Sequence, residues 1–543
     1  MSAESPESDK ISGGSHLMNL PSTNRRVLYG LNDRPPFFHA VVLAIQHVLT
    51  MFGSTVAVPL LFGPKLWPVP EGLPDPVVLQ LTDLQLSNTA LLITSVMLCS
   101  GIATLLQTTY GSRLPIIQGV SFSFLAAFFA IVATVQKQQG PDWSAVLAGD
   151  LRETTLRPLI EQWQASGGQG MRTIAGAVIA GGLIETLVGF SGLMGLVRRY
   201  LSPVVVGPVI MLIGLALYQF GAPIAANNWY VSGLTIALVV LFSLVLSRWL
   251  RLFQLFPMLI AIVLVVTVCW GLGQQQVIEP GNAAYVDLSA VNHSVWIRGS
   301  TLFFPWGFPQ WSLSALIAVL AGYLASMIES FGDYHACKNM AGSGDPTADE
   351  ISRGIGMEGI GCSLTGVFGG FSSTSYSENI GLVGLTKVGS RYVVQIGGVL
   401  LILLGLFGKF GALAAAIPQP VVGGLYCTLF GLIAAVGVRQ FAKADLNSDR
   451  NLMIGGFALF MGLSVPFYFS EYSTGQMDIA WMPNGVRGIV VAIGSTGMAV
   501  AALLGIVLDN LVPGTRAERG LIEHPSILVP EAGDVDVVVE SDT

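Results

Sequence analysis

Apolar stretches long enough to cross a lipid bilayer recur along almost the whole chain, and they constrain its fold more than any other feature. A helix of about 20 apolar residues crosses the hydrocarbon core of a membrane. Only 11% of the 543 residues are charged, whereas a soluble domain carries about 25%. We therefore predict an all-α polytopic membrane protein. Its fourteen transmembrane segments, seven in each half, are predicted at 37–62, 85–108, 113–134, 172–195, 201–222, 230–248, 253–273, 311–332, 351–370, 371–387, 391–415, 418–438, 451–469 and 486–512.

The basic residues predict how the chain crosses the membrane. With an inner N-terminus, most of the 26 Lys and Arg residues lie on the inner side, as the positive-inside rule requires. An even number of segments then returns the C-terminus to the cytoplasm. Seven segments in each half give the halves opposite orientations, which is the inverted repeat of many secondary transporters. We expect a multi-pass protein of the inner or plasma membrane.

The chain ends are read separately from the membrane segments. Residues 1–36 are polar, so we expect a cytoplasmic tail and no cleavable signal peptide. Within them, residues 1–18 resemble a vector-derived leader. Residues 513–543 form an acidic tail that we also expect in the cytoplasm. The connection 135–171 is long, and the sequence suggests no function for it.

The third and tenth segments are poor helices. Residues 114–122 and 371–378 each read as a short extended piece followed by a helix that begins at serine, a favoured N-cap residue. Transporters with inverted repeats bind substrate where such interrupted helices meet near the membrane midplane. On pattern alone, two ordinary loops or two weak helices explain these stretches equally well.

Three of the carboxylates in or beside apolar segments can be given a role. Glu329 is the only charge between residues 311 and 332, and Asp333 follows four residues later on the same helical face. Because both anions repel each other and burial penalises each charge, the pair is predicted to accept and donate a proton. Alternatively, Asp333 lies at the inner water boundary and caps the helix end. Glu378 begins the helical half of the tenth segment, and an acid at membrane depth indicates a solute or ion site. Glu185, Glu358, Lys409 and Asp509 remain unassigned charges.

The stretch from Glu378 to Lys387 (ENIGLVGLTK) combines an acid, an amide and two glycines. It meets every fixed position of a signature, and by it the chain resembles the nucleobase–ascorbate transporter family, also called the nucleobase–cation symporter-2 or xanthine/uracil permease family. The likeness extends over residues 30–512, through the Gln46-His47 pair and the broken third and tenth segments. The motif Arg34-Pro35-Pro36 is most similar to bacterial uracil permeases.

The resemblance implies two domains and an elevator-type movement. A core domain would move against a gate domain, and the gate would form a homodimer. The implied boundaries are core 37–200 and 311–416, gate 201–310 and 417–512.

The resemblance also implies a role for each site residue. Carried over by position, the substrate-binding residues are Phe122 and Ser377 through their backbone amides, Tyr376 on the ring, and Glu329 and Glu378 on the base. The proton-coupling residues are Asp333 and Glu329, and the supporting residues are Gln46, His47, Ser121 and Asn379. Packing is the more common role for Phe122 or Tyr376 alone, and a buried structural hydrogen bond is the more common role for His47.

Uracil is the expected substrate. It presents two ring N–H donors and two carbonyl acceptors, which carboxylates and the amides near Ser121, Phe122, Ser377 and Glu378 would complement. Family members with Glu at the first signature position tend to take uracil. Asp333 departs from this pattern, because a histidine stands there in the best-known bacterial uracil permease and an aspartate in several purine carriers. A xanthine, urate or broader purine carrier is therefore the alternative.

Other classes fit the sequence less well. Two acids disfavour an anion exchanger or channel, since they repel an anionic substrate. Nucleic acid is not an expected partner, because no dense basic cluster exists. The six histidines show no metal-ligand spacing, and the five cysteines show no paired spacing. We expect no enzyme, no cofactor and no metal, with H⁺ as the coupling ion.

Overall fold

The computed structural model describes residues 27–194, 200–299, 302–473 and 481–521. The predicted tails 1–36 and 513–543 lie mostly outside these residues. In chain order the helices are α1 (Phe37–Leu66), α2 (Asp75–Thr109), α3 (Leu125–Gln139), α4 (Ser144–Leu147), α5 (Glu153–Phe190), α6 (Pro203–Ala216), α7 (Tyr218–Ala225), α8 (Trp229–Val240), α9 (Arg251–Leu255), α10 (Pro257–Gln274), α11 (Ser289–His293), α12 (Leu313–Met340), α13 (Ala348–Phe368), α14 (Ser377–Thr386), α15 (Arg391–Leu406), α16 (Gly408–Ala415), α17 (Gln419–Phe441), α18 (Asp449–Ser473), α19 (Asn484–Gly494) and α20 (Gly497–Leu511).

The structure is mostly helical, and its long helices are apolar. Within the described ranges, eight helical segments are long and apolar enough to cross a membrane. This confirms a multi-pass membrane protein. Other predicted segments fall on shorter helices, such as α15 with 16 residues and α20 with 15 residues. The count of fourteen and the inverted repeat therefore stay predictions.

Two short strands meet inside the helical bundle. Strand β1 (Gln118–Val120) and strand β2 (Ser373–Ser375) pair antiparallel, with Gly119 opposite Thr374. Beyond one end of the ladder, the Tyr376 N–H donates to the carbonyl oxygen of Ile117 at 3.0 Å. The strands lie within the stretches 114–122 and 371–378, so both predicted extended pieces exist and contact each other.

Helices α3 and α5 extend into the long connection 135–171 and account for much of it. Helix α5 begins at Glu153 rather than near 172, and α3 runs to Gln139. Asp150 lies just before α5 and accepts hydrogen bonds from the Arg152 guanidinium and backbone N–H. The hydrogen bonds from Arg152 hold the pKa of the Asp150 carboxyl well below its usual range. The connection therefore consists of extensions of α3 and α5, with the short helix α4 between them.

Several pairs of helices pack closely, among them α2 with α15, α5 with α13, α6 with α17 and α18 with α20. Helices α5 and α13 approach closely, because a Cβ atom on Gly182 would lie only 2.6 Å from the carbonyl oxygen of Gly359. Glycine lets backbones come this near, as in other tightly packed membrane helices.

Candidate functional site

Tyr376 fastens the two strands to helix α1. Its hydroxyl donates to the carbonyl oxygen of Val120 at 3.0 Å and accepts from Thr55 Oγ1 at 3.3 Å. Its ring lies against the backbone of Gly119, and only 4% of the residue is exposed. The structure thus gives Tyr376 the packing role that the sequence analysis left open, directly beneath the start of α14.

Asp333 holds the junction between β2 and α14. Its two carboxylate oxygens accept hydrogen bonds from the hydroxyls of Ser375 and Ser377, each at 2.8 Å. Helix α12 continues to Met340, and Asp333 is buried. The alternative that Asp333 caps a helix end at the water boundary is therefore wrong, because the predicted segment stops at 332 and the helix does not.

Glu329 and Glu378 are brought together from two helices. Glu329 in α12 is half-buried, and the charges of Asp333 and Glu378 act on its carboxyl group. Glu378 is exposed although its neighbours Tyr376 and Asn379 are buried. The Asp333–Ser377 hydrogen bond joins the two helices one turn from Glu329 and one residue from Glu378, so both carboxylates lie near the broken tenth segment.

The side chain of Ser54 in α1 lies close to the Glu378 carboxyl group. Helix α1 therefore contributes a hydroxyl to the same region as the two carboxylates. Ser54 itself is buried, so this hydroxyl is fixed in position beside the acid. It leaves part of the carboxylate's acceptor capacity for another donor.

The backbone amides of the two broken segments are not equally available as hydrogen-bond donors to a ligand. Ser121 is fully buried, its N–H donates to the carbonyl oxygen of Ser372 at 3.0 Å, and its hydroxyl accepts from the Ser123 N–H at 3.3 Å. The expectation that the Ser121 amide donates to a ligand is wrong for this reason. A helix leaves its first amides without an intrahelical partner. Phe122 begins the short 3-10 helix Phe122–Phe124 that precedes α3, and Ser377 begins α14.

Asn379 and His47 form a second bridge between α14 and α1. Asn379 Nδ2 donates to the carbonyl oxygen of His47 at 2.9 Å and lies 3.2 Å from its Nδ1. Both residues are buried. Gln46 is half-buried, and its carbonyl oxygen accepts from the hydroxyl of Thr50. The pair supports the site structurally, since it fixes α14 against α1.

A buried network around Glu358 was missed by the sequence analysis. Glu358 accepts hydrogen bonds from Ser326 at 3.1 Å, Ser330 at 2.8 Å and Tyr334 at 2.9 Å. The hydroxyl of Ser330 also lies 2.9 Å from that of Ser375, which joins Glu358 to Asp333. The sequence does contain an indication of this network, because polar residues at 326, 330 and 334 share one face of α12.

The other unassigned charges have different surroundings. Glu185 is buried, and its charge acts on that of Glu358. Asp509 lies away from the site and forms ion pairs with Arg450 at 2.9 Å and Arg519 at 2.6 Å. Lys409 Nζ donates to the carbonyl oxygen of Val291 at 2.8 Å. Asp509 and Lys409 therefore have structural partners of their own.

Comparison with known proteins adds a family likeness. The Permease family (Xan_ur_permease) matches residues 38–471. The chain is similar to Solute carrier family 23 member 1 of Rattus norvegicus, with 35% identity over 96% of this chain and 86% of that protein. It is also similar to Solute carrier family 23 member 2 of Homo sapiens, with 36% identity over 91% of this chain and 76% of that protein.

A plant protein and one solved structure complete the comparison. Nucleobase-ascorbate transporter 1 of Arabidopsis thaliana is 32% identical over 91% of this chain and 91% of its own length. Among solved structures, the murine Solute Carrier 26 family member A9 anion transporter in the inward-facing state has a TM-score of 0.52 and 12% identity. That match covers 88% of this chain and 69% of the other. At this identity the structural likeness concerns the fold alone.

Proposed function

The chain belongs to the nucleobase–ascorbate transporter family of permeases, and from that premise we propose that it imports a nucleobase, with uracil as the first candidate, in symport with protons. The family consists of transporters and not enzymes. The observation that carries the proposal is the convergence of Glu329 and Glu378 on one region beside the strand pair. Acids at membrane depth are costly and are typical of functional sites.

The donors and acceptors of this region complement a neutral nucleobase. Carboxylate oxygens of Glu329 and Glu378 accept the ring N–H groups. The backbone amides of Phe122 and Ser377 donate to the ring carbonyls, since each begins a helical segment. Charge-assisted hydrogen bonds of this kind are short and selective. Phe122 is half-buried and supplies the flat contact that the buried Tyr376 does not.

Proton coupling is assigned to Asp333 together with Glu329. Asp333 touches the first residue of α14 through Ser377, so a change in its charge acts directly on the helix end that carries Glu378. The negative charges of Asp333 and Glu329 also repel each other. A proton taken up at this pair relieves that repulsion, and substrate binding and protonation are thereby linked.

Relative movement of two domains gives access from each side. We assign 37–200 and 311–416 to a core domain and 201–310 and 417–512 to a gate domain. Support comes from the packing of α2 with α15 and α5 with α13 in the first group, and of α6 with α17 in the second. Glu329 and Glu378 are both in the core group, so the substrate would travel with that group. A homodimer through the gate belongs to the same proposal.

Two other substrates need separate consideration. Asp333 favours a purine carrier, because several purine carriers of the family have an aspartate at this position. Ascorbate appears in the name of the plant relative. Because ascorbate is an anion at neutral pH, the two carboxylates would repel it unless a proton or cation neutralised them. The geometry thus supports a neutral base best.

Uptake of labelled uracil into proteoliposomes, with and without an imposed pH gradient, tests the proposal. We expect uptake that rises with an inward proton gradient. Glu378→Ala should abolish uracil binding, because it removes the acceptor, whereas Glu378→Gln should weaken it or shift preference toward purines. Glu161→Gln is the matched control, since that acid lies on the exposed insertion. Unchanged uracil uptake in the Glu378→Ala protein would contradict the assignment.

A competition panel separates the substrates. Unlabelled uracil, xanthine, guanine, urate and ascorbate are each added in excess to the labelled uracil assay. Strong competition by uracil alone supports the first candidate. Competition by xanthine or urate at lower concentrations than uracil supports the purine carrier. Transport of labelled ascorbate with no response to uracil would rule out a nucleobase substrate.

A further inference from the structure

A polar cavity of about 330 Å³ lies apart from the substrate region, where α2 ends and α1 and α15 begin. Its walls include three arginines, Arg34, Arg113 and Arg391, together with the side chains of Thr109 and Gln395. One arginine precedes α1, one follows α2 and one begins α15. Three separate parts of the sequence therefore bring positive charge to one concavity.

The cavity has no matching negative charge in its walls. None of the ion pairs within residues 27–194, 200–299, 302–473 and 481–521 involves these three arginines. The adjacent acid, Asp33, accepts a hydrogen bond from the Gly30 N–H at 2.7 Å and does not line the cavity. Like charges in one concavity repel each other, so the cavity favours an anionic ligand.

Contacts within the walls orient one of the arginines and one hydroxyl. The Arg34 guanidinium carbon lies 5.7 Å from the centroid of the Tyr392 ring, a cation–π distance. Arg113 has a backbone φ of 59°, a left-handed conformation that is uncommon for any residue other than glycine. Gln395 Nε2 donates to Thr109 Oγ1 at 3.1 Å, which leaves the hydroxyl hydrogen of Thr109 available as a donor.

We propose that this cavity binds a phosphate group, independently of the transported nucleobase. The planar guanidinium of arginine matches the oxygens of phosphate with paired hydrogen bonds. The phosphate has two sources: the head group of an anionic phospholipid at the inner surface of the bilayer, or a phosphorylated solute of the cytoplasm. The opposing explanation is that the three arginines only orient the chain in the membrane.

Binding of inorganic phosphate to the purified full chain in detergent tests the solute source. Thermal unfolding is followed against phosphate concentration, with chloride at equal ionic strength as the reference. We expect phosphate to raise the unfolding temperature, and Arg113→Gln and Arg391→Gln to weaken its apparent affinity by about tenfold or more, the effect of one lost charge-assisted hydrogen bond. Arg439→Gln is the matched control, because this exposed arginine lies at the end of α17.

A second arm tests the lipid source. The same proteins are placed in nanodiscs of phosphatidylcholine alone or with added phosphatidic acid, and the unfolding temperatures are compared. Stabilisation by phosphatidic acid that Arg113→Gln and Arg391→Gln remove identifies a lipid; a response confined to inorganic phosphate identifies a solute. Should a glutamine variant fail to fold, Arg391→Lys keeps the charge and removes the planar fork. Equal responses of Arg113→Gln, Arg391→Gln and Arg439→Gln in both arms would overturn the proposal.

Discussion

At the scale of single residues, Asp333 offers the sharpest test of proton coupling. It contacts Ser375 and Ser377 and acts on Glu329. Asparagine retains one acceptor but cannot take up or release a proton at neutral pH. We therefore expect Asp333→Asn to exchange labelled uracil across proteoliposomes without accumulating it under an inward proton gradient.

The control for Asp333 is Ser377→Ala. It removes one hydroxyl but keeps the carboxylate, so gradient-driven accumulation should persist at a reduced rate. The ratio of accumulation to exchange separates coupling from loss of folding, because a misfolded protein loses both. Full accumulation by Asp333→Asn would move the proton-coupling role to another group.

Glu358 is predicted to matter for stability. Its Oε2 accepts from the Tyr334 hydroxyl, whose oxygen already accepts from Gln107 Nε2 at 2.6 Å. The amide of Glu358→Gln would place another donor against that hydroxyl, and an unsatisfied buried group costs about 1–3 kcal/mol. We expect Glu358→Gln to lower the unfolding temperature in a detergent melting experiment. The control is Glu161→Gln, the same change at an exposed position of α5, and equal melting temperatures for the two proteins would refute this account.

At the scale of elements, the strand pair depends on Gly119. A methyl group there would lie 2.7 Å from Cε2 of the Tyr376 ring, and such overpacking costs about 1–3 kcal/mol. We expect Gly119→Ala to lower the unfolding temperature and to impair uptake, since the ring lies beneath the start of α14. Gly381→Ala is the control, because no atom lies within 4 Å of its Cβ position.

A double variant makes the Gly119 test specific. Tyr376→Ala removes the ring that a methyl group at residue 119 would strike. If the clash is the cause, Gly119→Ala costs much less stability in the Tyr376→Ala background than in the wild-type chain. An additive loss in the melting temperatures would point to another cause, such as the backbone conformation of the strand.

The two extended pieces show what the sequence could and could not predict at this scale. A poor helical pattern predicted extended pieces near 114–122 and 371–378, and both exist. The expected serine N-cap is present at Ser121 but not in the second stretch, where Tyr376 is the N-cap residue of α14. The pairing register could not be predicted, since neither strand has a hydrophobic alternation to fix it. The contact between His47 and Asn379 joins residues 332 positions apart; local pattern selected both residues but carries no information about their contact.

Glu358 shows why the site was only partly predictable. Its helix carries Asp349 and Glu350 in the first turn, and sequence pattern alone left the third acid, Glu358, unassigned. Burial depends on the close approach of α13 to α5, which glycine spacing permits but does not require. The alternative for Asp333, a helix-end cap, failed because hydropathy falls at 332, whereas helix α12 continues to Met340 and Asp333 contacts strand β2.

At the scale of the whole molecule, the decisive question is whether the proposed core and gate groups move relative to each other. Gly53 in α1 belongs to the core group and Met258 in α10 to the gate group. A Cβ atom on Gly53 would lie 3.7 Å from that of Met258, within the range of about 3.5–4.5 Å that a disulfide requires. A disulfide between Gly53→Cys and Met258→Cys would therefore join the two groups without moving the backbone.

We expect oxidation of the Gly53→Cys/Met258→Cys chain to stop uracil uptake and a reductant to restore it. The matched control is Ala103→Cys/Gly361→Cys, which joins α2 to α13 within the core group. Its Cβ atoms lie 3.3 Å apart, just below the disulfide range, so a small outward shift of one helix accommodates the bond. That disulfide should leave uptake nearly unchanged, because it ties parts that move together. The oxidised wild-type chain controls for the native cysteines, four of which are buried. Full uptake by the oxidised Gly53→Cys/Met258→Cys protein would mean that transport proceeds without separation of α1 from α10, and the elevator assignment would fail.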